Sequence, residues 1–434
     1  MLNRRKLLVQ TAGFAVLGLS LGKAAAGSLP GIDNALMRGS INAADFGVQP
    51  GALDDQSKAF AGLLREANDR DIPVFLPPGT YVVSNLSLPS RIRLSGVPGA
   101  SRIAYGGNGH LLMAEQAEHI EFTGLVFEGT SHWMGDYARG LLDLRHVAHL
   151  VIDNCRITGS GKSGVALEHA SGRIERSEIS GAADAGIYSV EAAGLEISGN
   201  TVSDCANGGI LVHRWRAAED GTIVSGNRVE RIQARSGGTG QNGNGINAFR
   251  AGSVVISGNI VSDCAFSAIR ANSASNLHIT GNTCSRSGET ALYSEFSFEG
   301  AIVSNNIVDG AANGISIVNF NEGGAWACVP ETSSAISRPA APTLPMHPAS
   351  ASVSTSRRIP QSPATSLRMH RSTACTSAGG RSCAMWSPRE ILSARPEPAS
   401  PSPWSRVLER RSSPTMSSTA PKTARSSATA GPSR

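Results

Sequence analysis

Polar side chains recur at a regular interval through the middle of this 434-residue sequence. A small residue followed by an aliphatic one marks each repeat, as at Gly186-Ile187 and Gly209-Ile210. Two and four residues after the small residue stand side chains that could do chemistry. Those singled out there are Tyr188, His213, Asn247, Arg270, Tyr293 and Glu295, with Arg214, Trp215 and Arg250 beside them.

These residue types suit an elimination or epimerisation on a uronate sugar. Such a reaction needs a cation or amide to neutralise the sugar carboxylate, a base to remove the C5 proton and an acid for the leaving oxygen. The candidates are, in that order, Arg270, Arg250 or Asn247; His213 or Tyr188; and Tyr293. Hydrolysis would instead need two carboxylates. Glu295 could be one, and the sequence offers no convincing partner for it.

We therefore predict a site with two groups of residues. The predicted catalytic residues are His213, Arg270, Tyr293 and Glu295, and the predicted substrate-binding residues are Tyr188, Arg214, Trp215, Asn247 and Arg250. Insertions at residues 215–221 and 234–244 flank them, and long loops on a regular scaffold often carry function. No spacing of Cys and His resembles a zinc site, so neither a metal nor a cofactor is predicted.

The repeat itself indicates the scaffold. Its period is about 23 residues, with short alternating strands and Gly or Asn corners, which is typical of one coil of a right-handed parallel β-helix. A second phrase, aliphatic-x-aliphatic-x-Gly-Asn, has the same period, and we expect its Asn column, from Asn154 to Asn306, to be structural. A leucine-rich repeat is the rival interpretation, but its leucine pattern is absent and β-branched residues dominate.

An N-terminal cap precedes the repeats. Residues 41–46 predict a strand, and Asp54 or Asp55 could cap a helix that carries apolar residues from Phe60 to Ala67 at helical spacing. This helix would cover the open end of the stack. The predicted organisation is a signal peptide at 1–26, a linker at 27–40, the cap and first strands at 41–100, β-helix repeats at 101–324 and a disordered tail at 325–434.

The charge of the chain is divided among these regions. The whole sequence has a net charge of +5, but residues 27–324 hold 21 basic and 30 acidic groups. A nucleic-acid-binding core is therefore excluded, because a basic footprint is its first requirement. Residues 1–26 are basic and contain Arg4-Arg5, an apolar run and Ala24-Ala25-Ala26. They indicate a twin-arginine (Tat) signal, export through the Tat translocase and a periplasmic or secreted protein without a membrane span.

The tail is rich in Pro, Ser and Arg, and we expect it to be disordered. Its residues also suggest translation out of frame. Permitted codons for residues 342–355, read after two bases are dropped, give DPADASGIGISVD, which repeats the phrases of the middle region.

Several motifs of the cap resemble those of a known superfamily. Asp45-Phe46-Gly47, Asp54-Asp55 and Leu76-Pro77-Pro78-Gly79-Thr80-Tyr81 resemble the opening of the pectate-lyase-like superfamily, which includes polysaccharide lyases, glycoside hydrolases, alginate epimerases and phage tailspikes. The signal together with the GN-x-V repeats resembles the Tat-translocated repetitive proteins. The resemblance implies a polysaccharide as partner. The leading expectation is an exported lyase or epimerase, and the alternative is a non-catalytic structural or adhesion protein of the envelope.

Overall fold

The computed structural model describes residues 39–52 and 54–319 together with three later strands. This part of the chain holds 30 strands, one α-helix and one short 3-10 helix. In chain order, the strands β1 to β30 are Ile41–Asn42, Val74–Leu76, Gly79–Val83, Leu86–Ser87, Arg91–Gly96, Ser101–Tyr105, Leu112–Thr123, Val126–Glu128, Gly140–Asp153, Arg156–Thr158, Ser163–Glu168, Gly172–Glu175, Glu178–Ser180, Ala185–Val190, Glu196–Ser198, Thr201–Ser203, Gly208–Glu219, Ile223–Ser225, Arg228–Ile232, Asn244–Gly252, Val255–Ser257, Ile260–Cys264, Ile269–Asn272, Leu277–Thr280, Thr283–Glu295, Ala301–Ser304, Ile307–Val318, Trp326–Cys328, Ala374–Thr376 and Ser382–Met385.

The strands form a right-handed parallel β-helix, as the period predicted. From β1 to β28, each strand pairs in parallel with a strand of a neighbouring coil, so β11 pairs with β14, β14 with β17 and β17 with β20. The aliphatic residue of each repeat therefore stacks on the next, and Val165, Ile187 and Ile210 are fully buried in this column. No single coil could bury these side chains alone, so stacking creates the core.

The cap differs in detail from the prediction. Only Ile41–Asn42 is a strand, and a 3-10 helix, Ala43–Phe46, follows it. The turn forms because the Asn42 side chain accepts a hydrogen bond from the Ala44 amide at 3.0 Å. Helix α1, Ser57–Arg70, buries Phe60, Leu63, Leu64 and Ala67, as expected. None of the described helices is long and apolar enough to cross a bilayer.

A buried asparagine ladder joins the coils at one corner. The Oδ1 atom of Asn227 accepts from the Asn200 amide at 2.9 Å and from Asn200 Nδ2 at 3.0 Å, and the same pattern recurs along the ladder. Its members are Asn200, Asn227, Asn259, Asn282 and Asn306. The structural role predicted for this column is confirmed, but the placement of Asn154 was wrong by one residue. Cys155 and Ser177 occupy the equivalent ladder positions, and Asn154 takes the left-handed conformation beside them.

The two predicted ends of the chain fall mostly outside the described residues. The predicted signal peptide and all but the last two residues of the linker are among those not described. Within the predicted disordered tail the structure places three strands. Strand β28 pairs in parallel with β26 and so extends the stack, and it also pairs in antiparallel fashion with β30. For the rest of the tail, disorder and out-of-frame translation stay predictions.

Candidate functional site

Two columns of outward side chains run along one sheet of the helix. We call this surface, formed by strands β11, β14, β17, β20, β23 and β25, the outward face. The register places six of the nine predicted residues in these columns. The first column reads Ala166, Tyr188, Leu211, Asn247, Arg270, Tyr293, and the second reads Glu168, Val190, His213, Phe249, Asn272, Glu295. Between them, Ser189 and Ser294 point inward and are buried, as the two-residue period of a strand requires.

The centre of the C-terminal half of this face is a buried ion pair. Arg270 Nε donates to Glu295 Oε1 at 2.7 Å, and Arg270 Nη2 contacts the same oxygen. Asn272 Nδ2 donates to it as well, at 3.0 Å. The Arg270 guanidinium lies 5.3 Å from the centre of the Tyr293 ring. With Asn247 and Glu289, these residues form what we call the Arg270 cluster.

The longer insertion covers this cluster. A Cβ atom on Gly240 would lie 1.8 Å from Arg270 Nη1, so the backbone of the loop passes directly over the guanidinium. Gly240 has φ +114°, a conformation that favours glycine. Asn207 holds the base of the loop through bonds from the Ser236 amide at 2.8 Å and the Gly243 amide at 2.6 Å. As a result, Arg270 is only 8% exposed.

Three buried polar atoms of the cluster have no hydrogen-bond partner in the described structure. They are Arg270 Nη1, Asn247 Oδ1 and Glu289 Oε2. Burial raises the pKa of Glu289, with the Arg270 charge opposing and the Glu295 charge adding to the shift. Burial also raises the pKa of Tyr293 to about 12, assisted by Glu295. Such buried atoms are rare in folded proteins, and a polar ligand could satisfy them.

Glu289 is the functional candidate that the sequence did not reveal. It precedes the repeated phrase, outside the two outward columns. In strand β25 the register with β27 shifts between Ser287 and Thr290, so an irregularity brings Glu289 into the electrostatic range of Arg270 and Glu295. Bulges commonly redirect side chains in this way. Glu289 is therefore the second carboxylate near Glu295 that could not be identified from the sequence.

His213 is not part of this cluster. It lies two coils before Arg270, roughly 10 Å along the helix axis. Its ring packs between Tyr188 and Phe249, with centroid distances of 5.3 and 5.5 Å. Burial lowers its pKa to about 3, and its Nε2 atom has no partner in the described structure. An imidazole with this pKa is a weak base at neutral pH.

Arg214, Trp215 and Arg250 lie at the corner beside the outward face rather than in the cluster. Arg214 pairs with Glu191 and, at 3.5 Å, with Asp220. Arg250 Nη1 donates to the Trp215 carbonyl at 2.6 Å. The contacts of both arginines therefore hold the shorter insertion in place.

A second polar cluster, formed by Arg139, Asp143 and Arg145, lies at the N-terminal end of the face, where Arg139 is within the electrostatic range of Tyr188. Asp143 is fully buried and accepts from Arg145 Nη2 at 2.7 Å and from the Arg139 amide at 2.9 Å. Burial raises the pKa of Tyr188 to about 12. The signal for Asp143 was present, because Asp143 pairs with Ala166 and belongs to the first outward column one coil earlier.

A groove of about 510 Å³ lies elsewhere on the helix. Arg156, Arg176 and Glu178 are among its lining residues, and no predicted site residue lines it. Arg156 pairs with Glu178 at 2.9 Å and Arg176 with Asp153 at 2.8 Å. Because its charges are already paired with one another, this groove is a weaker candidate than the Arg270 cluster.

Comparisons with known proteins concern the fold. A family model described as "Right handed beta helix region" matches residues 105–237 and 143–323, which together span half of the chain. The A-module of Azotobacter vinelandii mannuronan C-5 epimerase AlgE6 is 14% identical, with 69% of this chain and all of that module covered and a TM-score of 0.47.

Two other solved structures are similar at the same level. The N-terminal fragment of bacteriophage phi29 gene product 12 is 16% identical over 68% of this chain and 62% of its own, with a TM-score of 0.48. The catalytic unit of the GH87 alpha-1,3-glucanase from Streptomyces thermodiastaticus is 15% identical over 68% of each chain, with a TM-score of 0.36. No curated protein matches this chain in sequence.

Proposed function

Because this chain belongs to the right-handed β-helix family, we propose that it binds a polysaccharide along its outward face and hydrolyses glycosidic bonds at the Arg270 cluster. The coils repeat at about 4.8 Å, so a column of side chains can meet successive parts of a long polymer. Bound substrate would have to displace the loop around Gly240, which lies over the guanidinium.

The observation that carries the proposal is the set of unpartnered buried atoms around the ion pair. Arg270 Nη1 is a donor, and Asn247 Oδ1 and Glu289 Oε2 can accept. Sugar hydroxyls both donate and accept, so one bound residue could satisfy all three. A closed structural ion pair would not need to leave such atoms beside it, because each costs free energy when it is buried without a partner.

The two carboxylates of the cluster, Glu289 and Glu295, have different environments, as is required when one acts as a general acid and the other as a nucleophile or base. Burial raises the pKa of Glu289 and favours its protonated form, so we assign it as the general acid. Arg270 and Asn272 donate hydrogen bonds to Glu295 Oε1 and fix the position of its carboxyl group, so we assign it as the nucleophile or base. Tyr293 contacts Glu295 and assists in orienting it.

Two other functions have specific support. In a lyase or epimerase, Arg270 would neutralise a uronate carboxylate and Tyr293, whose pKa is about 12, would donate the proton. His213 would serve poorly as its base, because burial lowers its pKa to about 3. In a non-catalytic envelope protein, the Arg270–Glu295 pair would be structural, as its hydrogen bonds would allow.

One experiment separates these functions. The full chain is incubated with neutral and uronate-containing polysaccharides, and both new reducing ends and the ultraviolet absorbance of unsaturated uronates are followed. A hydrolase gives reducing ends without absorbance, and Glu289→Gln and Glu295→Gln should each reduce the rate about 10²–10⁴-fold. Glu299→Gln, at an exposed carboxylate of the next turn, is the control and should retain full activity.

The remaining outcomes are equally informative. Absorbance that disappears in Arg270→Ala would establish the lyase. Polysaccharide binding without reducing ends or absorbance, unchanged in both carboxamide variants, would refute hydrolysis and elimination. An epimerase gives neither signal, so a change in the uronate composition of the recovered polymer would distinguish it from the non-catalytic function. Export is also part of the proposal, since residues 1–26 carry the Tat-like pattern. Replacing Arg4-Arg5 with Lys-Lys should then retain the protein in the cytoplasm.

A further inference from the structure

Two histidines stack at a corner next to the outward face. His146 and His169 each follow a residue of the second column, one coil apart, and both have left-handed backbone conformations, with φ of 52° and 50°. Their rings are 4.7 Å apart and inclined by only 12°. Both side chains are exposed, so their rings can rotate without disturbing the core.

A carboxylate completes a three-residue group. Nitrogen atoms of His146 and His169 and a carboxylate oxygen of Glu168 all lie within 4.8 Å of one another. Arg139 pairs with Glu168 through Oε2. Oε1 accepts no hydrogen bond from the described residues, so this oxygen can face an ion.

The tryptophan of the shorter insertion lies against this group. The Trp215 ring meets the His169 ring edge to face at 5.3 Å. Glu191 Oε1 accepts from the Trp215 amide at 2.7 Å and keeps the residue in position. The indole therefore contacts the His169 ring, while both histidines remain exposed to solvent.

We propose that His146, Glu168 and His169 bind a divalent transition-metal ion. Two imidazole nitrogens and one carboxylate oxygen suit Zn²⁺, Ni²⁺ or Cu²⁺, whereas Ca²⁺ and Mg²⁺ prefer oxygen ligands. Metal–nitrogen bonds of about 2.0–2.1 Å require ligand atoms roughly 3.4 Å apart. The ligand atoms now lie within 4.8 Å of one another, and rotation of the exposed rings would bring them to this shorter separation. With three protein ligands, the metal ion would keep one position open for water. The sequence analysis had predicted no metal site.

This site is separate from the Arg270 cluster. Glu168 precedes Glu295 in the second column by five coils, roughly 24 Å. Metal binding can therefore be tested without polysaccharide, and it stands or falls independently of the proposed hydrolysis.

The chain supplies a matched control in a second histidine pair. His119 and His149 are also in register on adjacent coils, with rings 4.9 Å apart. Their rings are inclined by 31°, and His119 Nε2 already contacts Glu121 at 3.3 Å. Within the described residues this pair belongs to no group of three ligand atoms as compact as the first.

The test measures Zn²⁺ binding to the metal-stripped full chain by calorimetry. We expect one equivalent of Zn²⁺ to bind. The double variant His146→Ala/His169→Ala should lose at least about tenfold in affinity, and Glu168→Gln should lose less. His119→Ala/His149→Ala should bind as the unmodified chain does. Circular dichroism checks that each variant is folded, which the exposure of the replaced side chains favours.

A second measurement reports on the position of the ion. Cu²⁺ should quench the fluorescence of Trp215 and saturate at one equivalent, and Trp215→Phe identifies the part of the signal that belongs to this residue. Absence of Zn²⁺ binding by the unmodified chain would overturn the proposal. Undiminished binding by His146→Ala/His169→Ala, or equal loss in the control double variant, would overturn it too.

Discussion

Replacing His213 with phenylalanine should make this protein more resistant to acid. The imidazole is packed between the rings of Tyr188 and Phe249, and its Nε2 atom has no partner within the described structure. Protonation would bury an unpaired charge, which is why the pKa falls from 6.5 to about 3. A phenylalanine ring has nearly the same shape and cannot be protonated.

The sign and size of the effect follow from proton linkage. Below pH 6.5 the unfolded chain protonates this histidine, while the folded chain keeps it neutral until the pH approaches 3. The contribution of this histidine to the free energy of unfolding is therefore fully present above pH 6.5, and it is lost as the pH falls from 6.5 towards 3. At pH 5 the unfolded-state pKa of 6.5 lies about 1.5 units above the pH, so this histidine lowers the free energy of unfolding by about 2 kcal/mol relative to neutral pH.

Urea unfolding at pH 7.5 and pH 5.0 measures this difference directly. The unmodified chain should lose about 2 kcal/mol more than His213→Phe between the two pH values. Comparing the two losses removes any packing cost of the larger ring, because that cost does not depend on pH. His149→Phe, at an exposed histidine, is the control and should behave like the unmodified chain. Equal losses in His213→Phe and the unmodified chain would refute the assignment of a buried neutral imidazole.

Two further substitutions test the ladder and the loop. Asn227→Ala should lower the free energy of unfolding by about 3 kcal/mol, since it leaves the buried amide and Nδ2 of Asn200 without their acceptor; a thermal or urea unfolding curve close to that of the unmodified chain would contradict this. Gly240→Ala would place its Cβ against Arg270 and should make the loop more sensitive to limited proteolysis, whereas Gly237→Ala, whose Cβ would meet open space, should change cleavage much less.

The repeat explains why the sequence predicted so much of the scaffold. Residues one period apart must stack, so the columns that contain Tyr188, Arg270 and Glu295 follow from counting alone. The same counting failed at Asn154, where no Gly-Asn pair marked the corner and a neighbouring residue occupied the ladder. A period gives the register only where its markers are present.

The environment of each side chain could not be predicted in this way. Whether His213 is exposed or buried depends on how the neighbouring rings and insertions pack, and the sequence contains no periodic signal for that packing. Glu289 was missed for a related reason, because an irregularity in register moves it out of the repeating pattern. In both cases the property depends on packing or register that the repeating pattern does not encode.

The asparagine ladder also gives the molecule a direction. The Oδ1 atom of each ladder asparagine accepts a hydrogen bond from the ladder residue of the preceding coil. Its Nδ2 atom donates to a backbone carbonyl of that same preceding coil, so every coil completes the hydrogen bonds of its predecessor. A duplicated coil that carries its own asparagine would fit between two existing coils without any change in its neighbours. The length of such a protein can therefore evolve in whole coils, and a binding surface can be extended by copying a unit of the gene.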